Sequence, residues 1–281
     1  MSLTSFLATN QDVRERFRQE FPKPKFLAKK DIVALPLSTR YSLVGTAFDY
    51  LLRFYLKHLN SNAVEREYWV AEAAVEWLSN YPETYKKAGK IVSQAKIRVQ
   101  NFLKTGQMND DLIESALLLG GLDPILRAAA GLEDIGLSCK EDLEDLKNLI
   151  SLVDPSIFKA RRICLLNPTF GAASHMVGGA DADLVIDDTL IDVKATKNLQ
   201  LKGEDFHQLM GYYTLHEISG VGEITPKLEI KHLAIYYARH GYLYKFDVND
   251  IINPRTFPEF VRWFKLRADK NDLNVESATK H

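Results

Sequence analysis

Acidic residues and one lysine recur at two-residue spacing between positions 178 and 197. Asp181 and Asp183 precede a short apolar run, and Asp192 and Lys194 lie in the next one. Side chains alternate between the two faces of a β-strand, so each pair projects from one face of its strand. Neighbouring carboxylates supply the oxygen ligands that Mg²⁺ prefers. The pattern therefore predicts a candidate cation site at the ends of two adjacent strands.

The two runs predict a β-hairpin whose turn is Asp187-Asp188. A two-residue turn places Asp183 opposite Asp192, and Asp181 opposite Lys194. Cβ atoms of opposed residues lie about 4.5–5.5 Å apart, where two like charges are destabilising. A cation between the carboxylates would relieve that repulsion. Either Asp181 or Asp183 is compatible with the first ligand position, and we favour Asp183 because it faces Asp192.

Gln208 and Tyr212 form a second candidate set, on a helix predicted over residues 202–219. They are four positions apart, so they share one helix face. Elsewhere, periodicity predicts helices over 38–59, 63–79, 83–104, 110–130, 140–152 and 256–267, and strands over 158–170, 232–238 and 242–248.

Asp183 followed by Asp192-Val193-Lys194 resembles the signature of the PD-(D/E)xK nuclease superfamily. Two further features resemble its RecB-like branch: the entry Gly178-Gly-Ala-Asp181-Ala-Asp183, and Gln208 with Tyr212 as a Q-x-x-x-Y element. The resemblance covers residues 158–248 well and the preceding helices only loosely. Within it, Val44-Gly-Thr-Ala-Phe-Asp49 resembles the opening helix of that branch, with Asp49 where the family has a histidine.

The resemblance implies an α/β fold with a restriction-endonuclease-like core. Such a core has the order αβββαβ, with a mixed central sheet flanked by helices. We expect it over residues 111–268, after an N-terminal helical extension over 1–110 and before a polar, disordered tail over 269–281. The extension begins with a basic leader, which is expected either to contact phosphate or to pack on the body of the protein.

The resemblance also implies a Mg²⁺- or Mn²⁺-dependent deoxyribonuclease. Asp183, Asp192 and the carbonyl of Val193 would hold the metal, and Lys194 would orient the attacking water. Gln208 and Tyr212 would complete the catalytic set. Glu114, Asp181 or Asp49 would complete a second metal position, and the residues nearest in sequence for flanking phosphates are Lys197, Lys202 and Arg161.

The same residues could also have purely structural roles. Asp183, Asp192 and Lys194 could form only a satisfied charge network, and Glu114 could be an ordinary exposed glutamate. Trp69 and Trp77 are expected to pack between helices rather than to stack on bases. A nuclease-like module that binds DNA or a partner protein without catalysis is the alternative from another functional class.

Composition narrows the possible partners. The formal net charge of −1 gives no global attraction to DNA, so any binding must use local patches. Two cysteines cannot ligate an iron–sulfur cluster and fit a reducing cytoplasm. No apolar run approaches the length of a membrane span. No helicase motif is present, so a helicase or other repair or defence partner would be a separate chain.

Overall fold

The computed structural model describes residues 2–128, 133 and 135–278. Residues 129 and 130 of one predicted helix, and 279–281 of the predicted tail, lie outside the described residues. The helices are α1 Leu3–Thr9, α2 Gln11–Glu20, α3 Tyr41–Leu59, α4 Val70–Trp77, α5 Pro82–Thr105, α6 Asp110–Gly120, α7 Asp123–Ala128, α8 Lys140–Ser151, α9 Pro155–Phe158, α10 Ala172–Met176, α11 Gly203–Ser219 and α12 Phe257–Ala278. The strands are β1 Val64–Glu65, β2 Cys164–Leu166, β3 Leu184–Ile186, β4 Thr189–Lys194, β5 His232–Tyr237 and β6 Tyr242–Asp247.

The strands form one mixed sheet in the order β1-β2-β3-β4-β5-β6. β1 is parallel to β2 and β4 is parallel to β5, whereas the remaining neighbours are antiparallel. The parallel step from β4 to β5 requires a crossover, which α11 supplies. The chain is therefore an α/β protein with an open six-stranded sheet flanked by helices.

The central hairpin has the register expected from its two-residue turn. Leu184 pairs with Ile191, and Ile186 pairs with Thr189. Asp187 adopts the left-handed backbone conformation, with φ of 53°. Its carboxylate accepts hydrogen bonds from the backbone N–H groups of residues 161–163, which tie the turn to the segment that leads into β2. The turn is thus fixed both by the pairing of β3 with β4 and by the hydrogen bonds to Asp187.

Apolar side chains cover both faces of the sheet. Leu184, Ile186 and Ile191 pack into the core that includes α3, α6 and α8. Val185 and Leu190 pack into the opposite core, which includes α1, α2, α11 and α12. Because side chains alternate along a strand, Asp192 and Lys194 lie on the same face as Leu190, beneath α11. The hairpin thereby presents its polar residues to that helix.

The basic leader packs on the body of the protein. Phe17 and Phe21 are buried and make edge-to-face contacts with Phe260 of α12. The N–H of Leu3 donates to the carbonyl of Gly179 in the loop before β3. Of the two alternatives for the leader, packing on the body is the one observed.

Three element predictions are wrong in part. The predicted helix over 63–79 begins only at Val70, because residues 64–65 form β1 and pair with β2. The predicted strand over 158–170 is reduced to β2, since Asp154 caps the short helix α9 and Asp187 holds residues 161–163 outside the sheet. Helix α12 extends to Ala278, so the backbone of residues 269–278 is helical rather than disordered. No helix within the described part of the chain is long and apolar enough to cross a membrane.

Candidate active site

Asp183 and Asp192 meet where β3 begins and β4 ends. Asp192 is 1% exposed, while Asp183 keeps part of its surface open to a cleft. Burial and the charges of Asp192 and Asp49 hold the pKa of Asp183 well above its usual range. Burial likewise raises the pKa of Asp192, against the opposing influence of Lys194. The ionised form of both carboxyl groups is therefore less stable here than in water.

The Asp183 carboxylate is held in place by the neighbouring strand. Its Oδ2 accepts a hydrogen bond of 2.6 Å from the backbone N–H of Val193. Val193 thus contributes to the site through its N–H, and the metal-binding role of its carbonyl stays a prediction. This contact fixes the first carboxylate beside the second, because Val193 follows Asp192 directly.

Lys194 supplies the positive charge next to the two carboxylates. Its Nζ lies 2.8 Å from Asp192 Oδ2 and 3.8 Å from Asp205 Oδ1. Although burial acts to lower the pKa of Lys194, Asp192 and Asp183 raise it above its usual value, so the side chain is an ammonium. Asp192 Oδ2 is a buried oxygen that is paired with this ammonium.

Gln208 and Tyr212 join the same site from α11. Lys194 Nζ donates to Gln208 Oε1 at 3.0 Å, and Gln208 Nε2 donates to the Tyr212 hydroxyl at 2.8 Å. Tyr212 also stacks on Phe170, with ring centroids 5.5 Å apart. Burial and the charges of Asp192 and Asp183 raise the pKa of Tyr212, so its hydroxyl stays protonated. The structure therefore brings together the five residues predicted as the catalytic set.

The site opens into a cleft with a volume of about 710 Å³. Residues predicted from the sequence as site residues line one wall. The opposite wall comes from α3, α4 and the loop after β1. Side chains on the cleft include Asp49, Arg53, Arg66, Tyr68, Trp69, Asp123, Asp181, Asp183, Gln208 and Tyr212. The opposite wall belongs to the region assigned from sequence to an N-terminal extension. That region also contributes β1 to the sheet.

The hairpin pairing expected to place Asp181 opposite Lys194 is not observed as far as this position. Its backbone forms a bridge with Thr169, and its carboxylate pairs with Arg66 at 2.8 Å. The hairpin pairing of β3 and β4 begins only at Leu184, and the chain before that point runs beside the segment that follows β2. Asp181 therefore lines the cleft with its carboxylate paired to the Arg66 guanidinium.

Asp49, rather than Glu114, is the helix carboxylate at this site. Glu114 is absent from the described residues that line the cleft, and it contacts Ser138 and Arg98 instead. Asp49 raises the pKa of both Asp183 and Asp192, so its charge acts directly on the pair. The sequence alone could not rank these two helices, because their packing against the sheet is a long-range contact.

Arg53 is a cleft residue that the sequence reasoning missed. It lies one helical turn after Asp49, contacts its carboxylate at 2.9 Å and lies 3.7 Å from Glu65 of β1. The guanidinium also lies 4.5 Å from the centroid of the Tyr50 ring. The i, i+4 spacing of Asp49 and Arg53 was a usable signal. Arg66 and Tyr68 had no comparable local signal.

The residues predicted to contact flanking phosphates do not form one group. Arg161 lies at the turn of the hairpin, four strand positions from Asp183 and so about 13 Å away along the strand. Lys202 is exposed and lies 3.5 Å from Glu204 at the start of α11. Lys197 is exposed beside the N-terminus of α3. Arg161 therefore lies at the far end of β3 from Asp183, and its contact with a flanking phosphate stays a prediction.

The described residues at this site supply two carboxylates for a divalent cation but no third ligand of the usual kind. Two adjacent carboxylates with raised pKa values, Asp192 buried and Asp183 partly open to the cleft, form a site that a cation would stabilise. Within the described ranges, no group of three or more His, Cys, Asp or Glu is arranged to hold a metal ion. Mg²⁺ usually keeps several waters and needs only one or two protein carboxylates, so the pair is compatible with it.

No family model, no curated protein and no solved structure gives a significant match to this chain. The fold and the site define an α/β protein in which Asp183, Gln208 and Tyr212 line one cleft and the buried Asp192 lies behind them with Lys194.

Proposed function

We propose that this protein is a metal-dependent nuclease that hydrolyses phosphodiester bonds in DNA, of the RecB-like PD-(D/E)xK type. The observation that carries the proposal is the contact chain from Asp192 through Lys194 and Gln208 to Tyr212 beside Asp183. A charge network with a purely structural role would need no cleft at this point. Here Asp183, Gln208 and Tyr212 line an open cleft.

The arrangement of elements supports the same proposal. Strands β2, β3 and β4 are followed by α11 and then β5, and helices precede them in the chain. This order agrees with the αβββαβ core expected for a restriction-endonuclease-like fold. β1 and β6 extend that sheet at its two edges.

Asp183 and Asp192 would hold Mg²⁺ or Mn²⁺, with Asp49 as a further carboxylate on the same cleft. A divalent cation held there supplies a Lewis acid for the phosphate and for the attacking water. Burial of both carboxylates strengthens their attraction for a cation, since the local dielectric is low. The Val193 N–H holds the Asp183 carboxylate in place beside Asp192.

Lys194 would stabilise the negative charge that develops on the phosphate. Its ammonium is held by Gln208 and by Asp192, so its position is set before substrate binds. Pre-positioned charges of this kind are worth about 10²–10³ in rate. Tyr212 acts through Gln208, because it accepts the hydrogen bond that orients the Gln208 amide.

The decisive experiment compares Lys194→Met with Asp192→Asn on labelled single- and double-stranded DNA in Mg²⁺, Mn²⁺ or EDTA. Lys194→Met keeps both carboxylates and most of the aliphatic stem, so metal affinity should persist while cleavage falls about 10²–10³-fold. Asp192→Asn should lose metal affinity and cleavage together. Glu114→Gln is the matched control, and it should leave both unchanged.

A non-catalytic DNA-binding or protein-interaction module is the second candidate. The absence of a three-residue metal cluster among the described residues favours it. DNA binding by the wild type without cleavage in either metal would select this candidate. Full cleavage by Lys194→Met would instead show that any hydrolysis uses other residues.

A further inference from the structure

Exposed aromatic and basic side chains form the wall of the cleft opposite Asp183. Tyr68 is 62% exposed, and the Arg66 side chain is about half exposed beside it. Both line the cleft, on the loop between β1 and α4. An exposed aromatic ring on the cleft is free to contact a ligand that enters it.

The aromatic surface continues along α4. Val70 and Ala73 line the cleft, and Trp77 lies one helical turn beyond Ala73 on the same face. Trp77 is 41% exposed and stacks on Tyr81, which is 49% exposed, with ring centroids 6.1 Å apart. The expectation of inter-helix packing holds for Trp69, which is buried against Phe54, but not for Trp77.

We propose that this surface, formed by Tyr68, Trp77 and Tyr81 with Arg66, binds a single strand of nucleic acid and leads it to Asp183. The direction toward Asp183 rests on the proposed nuclease function. Val70 and Trp77 are about 10 Å apart along the helix axis. That distance is about three times the 3.4 Å rise per nucleotide within one strand of a duplex, and an extended single strand spans it with fewer nucleotides. Tyr68 and the Trp77–Tyr81 pair can therefore contact different bases of one strand.

A single strand fits this surface better than a duplex does. Bases in a duplex are already stacked and paired, whereas unpaired bases offer their faces to aromatic side chains. Stacking tolerates any sequence, because every base has a π-face.

The charge of the protein also favours stacking as the source of affinity. The net charge of −1 gives no long-range attraction for phosphate, and the cleft contains several carboxylates. Arg66, which is paired with Asp181, and Lys96, which is paired with Glu72, lie beside the aromatic wall, and Lys96 lies over the Trp69 ring. Either cation would have to exchange its carboxylate for a phosphate, so the rings supply most of the affinity.

Fluorescence anisotropy with a labelled 20-nucleotide oligothymidine and a 20-base-pair duplex, both in EDTA, tests the proposal without cleavage. We expect Tyr68→Ala and Trp77→Ala each to weaken single-strand binding roughly 5- to 100-fold, the loss of one stacked base. Tyr68→Phe and Trp77→Phe keep an aromatic face and should retain most of the affinity. Tyr41→Ala removes an equally exposed tyrosine outside this cleft and should have no effect.

Unchanged single-strand affinity in both alanine variants, or tighter binding of the duplex, would overturn the inference. Because these measurements need no metal, they separate the inference from the proposed function. Single-strand binding that depends on Tyr68 and Trp77, without cleavage in Mg²⁺, would leave the inference standing and remove the nuclease. Cleavage that is unaffected in both alanine variants would remove the inference and leave the proposed nuclease standing.

Discussion

Lys194 donates a hydrogen bond of 3.0 Å to Gln208, across the interface between β4 and α11. The glutamine amide is oriented by its second hydrogen bond, to Tyr212. The ammonium is consequently held beside Asp192 by a helix and not only by its own strand. This contact links the crossover helix to the chemistry of the site.

Gln208→Leu is expected to lower DNA cleavage by about 10- to 100-fold, the usual effect of removing a residue that orients a functional group. The Lys194 ammonium would lose its acceptor on α11 but keep its charge. Divalent-metal affinity should change little, because Gln208 contacts neither carboxylate. Cleavage kinetics and calorimetric metal titration on the same preparation test both expectations. Equal losses in metal affinity and cleavage would show that Gln208 supports the metal site itself.

Lys194→Met is expected to destabilise the metal-free protein by up to about 3 kcal/mol, because it leaves the buried Asp192 without its cation. Urea unfolding in EDTA measures this change. Added Mn²⁺ should recover part of the loss by binding the native state preferentially. A variant as stable as the wild type in EDTA would show that Asp192 is neutral there.

Asp183→Asn is expected to raise the thermal stability of the metal-free protein at pH 7. The pKa of Asp183 is well above its ordinary value of 3.8 because of burial and the charges of Asp192 and Asp49. A carboxyl with a raised pKa in the folded state loses stability as the pH rises from 3.8 through that raised pKa. Asparagine can still accept from Val193, and it carries no charge. Melting temperatures across pH 4–8 should therefore fall less steeply for the variant.

His216 is expected to make the protein acid-sensitive. Burial, with the charge of Lys227, lowers the pKa of His216 from its ordinary 6.5 to about 4. The unfolded chain binds this proton below pH 6.5 and the folded chain does not, so stability falls as the pH drops from 6.5 toward 4. The loss is about 3 kcal/mol across that window. His216→Leu should remove this component of the pH dependence, whereas His175→Leu, at an exposed histidine, should retain it.

Asp145→Ala is expected to cost about 3–5 kcal/mol of folding stability. Arg239 binds both oxygens of Asp145, at 2.7 and 3.1 Å, and both side chains are almost completely buried. The same guanidinium donates to the carbonyls of Ala34 and Ala195, so it fastens the leader and the exit of β4 to α8. Chemical denaturation measures the loss. A double-mutant cycle with Arg239→Met should show strong coupling, and additive effects would contradict a direct pair.

The sequence by itself determined the geometry that depends on short-range regularities. Strand alternation and a two-residue turn place Asp183, Asp192 and Lys194 on one face of the hairpin, and the observed register agrees. Four-residue spacing places Gln208 and Tyr212 on one face of α11. These relations follow from backbone geometry over a few residues, so no knowledge of the remaining fold was needed.

Only the tertiary structure decided which distant residues complete the cleft. β1 pairs with a strand 101 positions later in the chain, and this pairing brings Arg66 to Asp181 and sets Tyr68 opposite Asp183. The choice of Asp49 over Glu114 was decided in the same way, by how α3 and α6 pack against the sheet. Such contacts depend on the burial of apolar surface between elements far apart in sequence, which local periodicity does not encode.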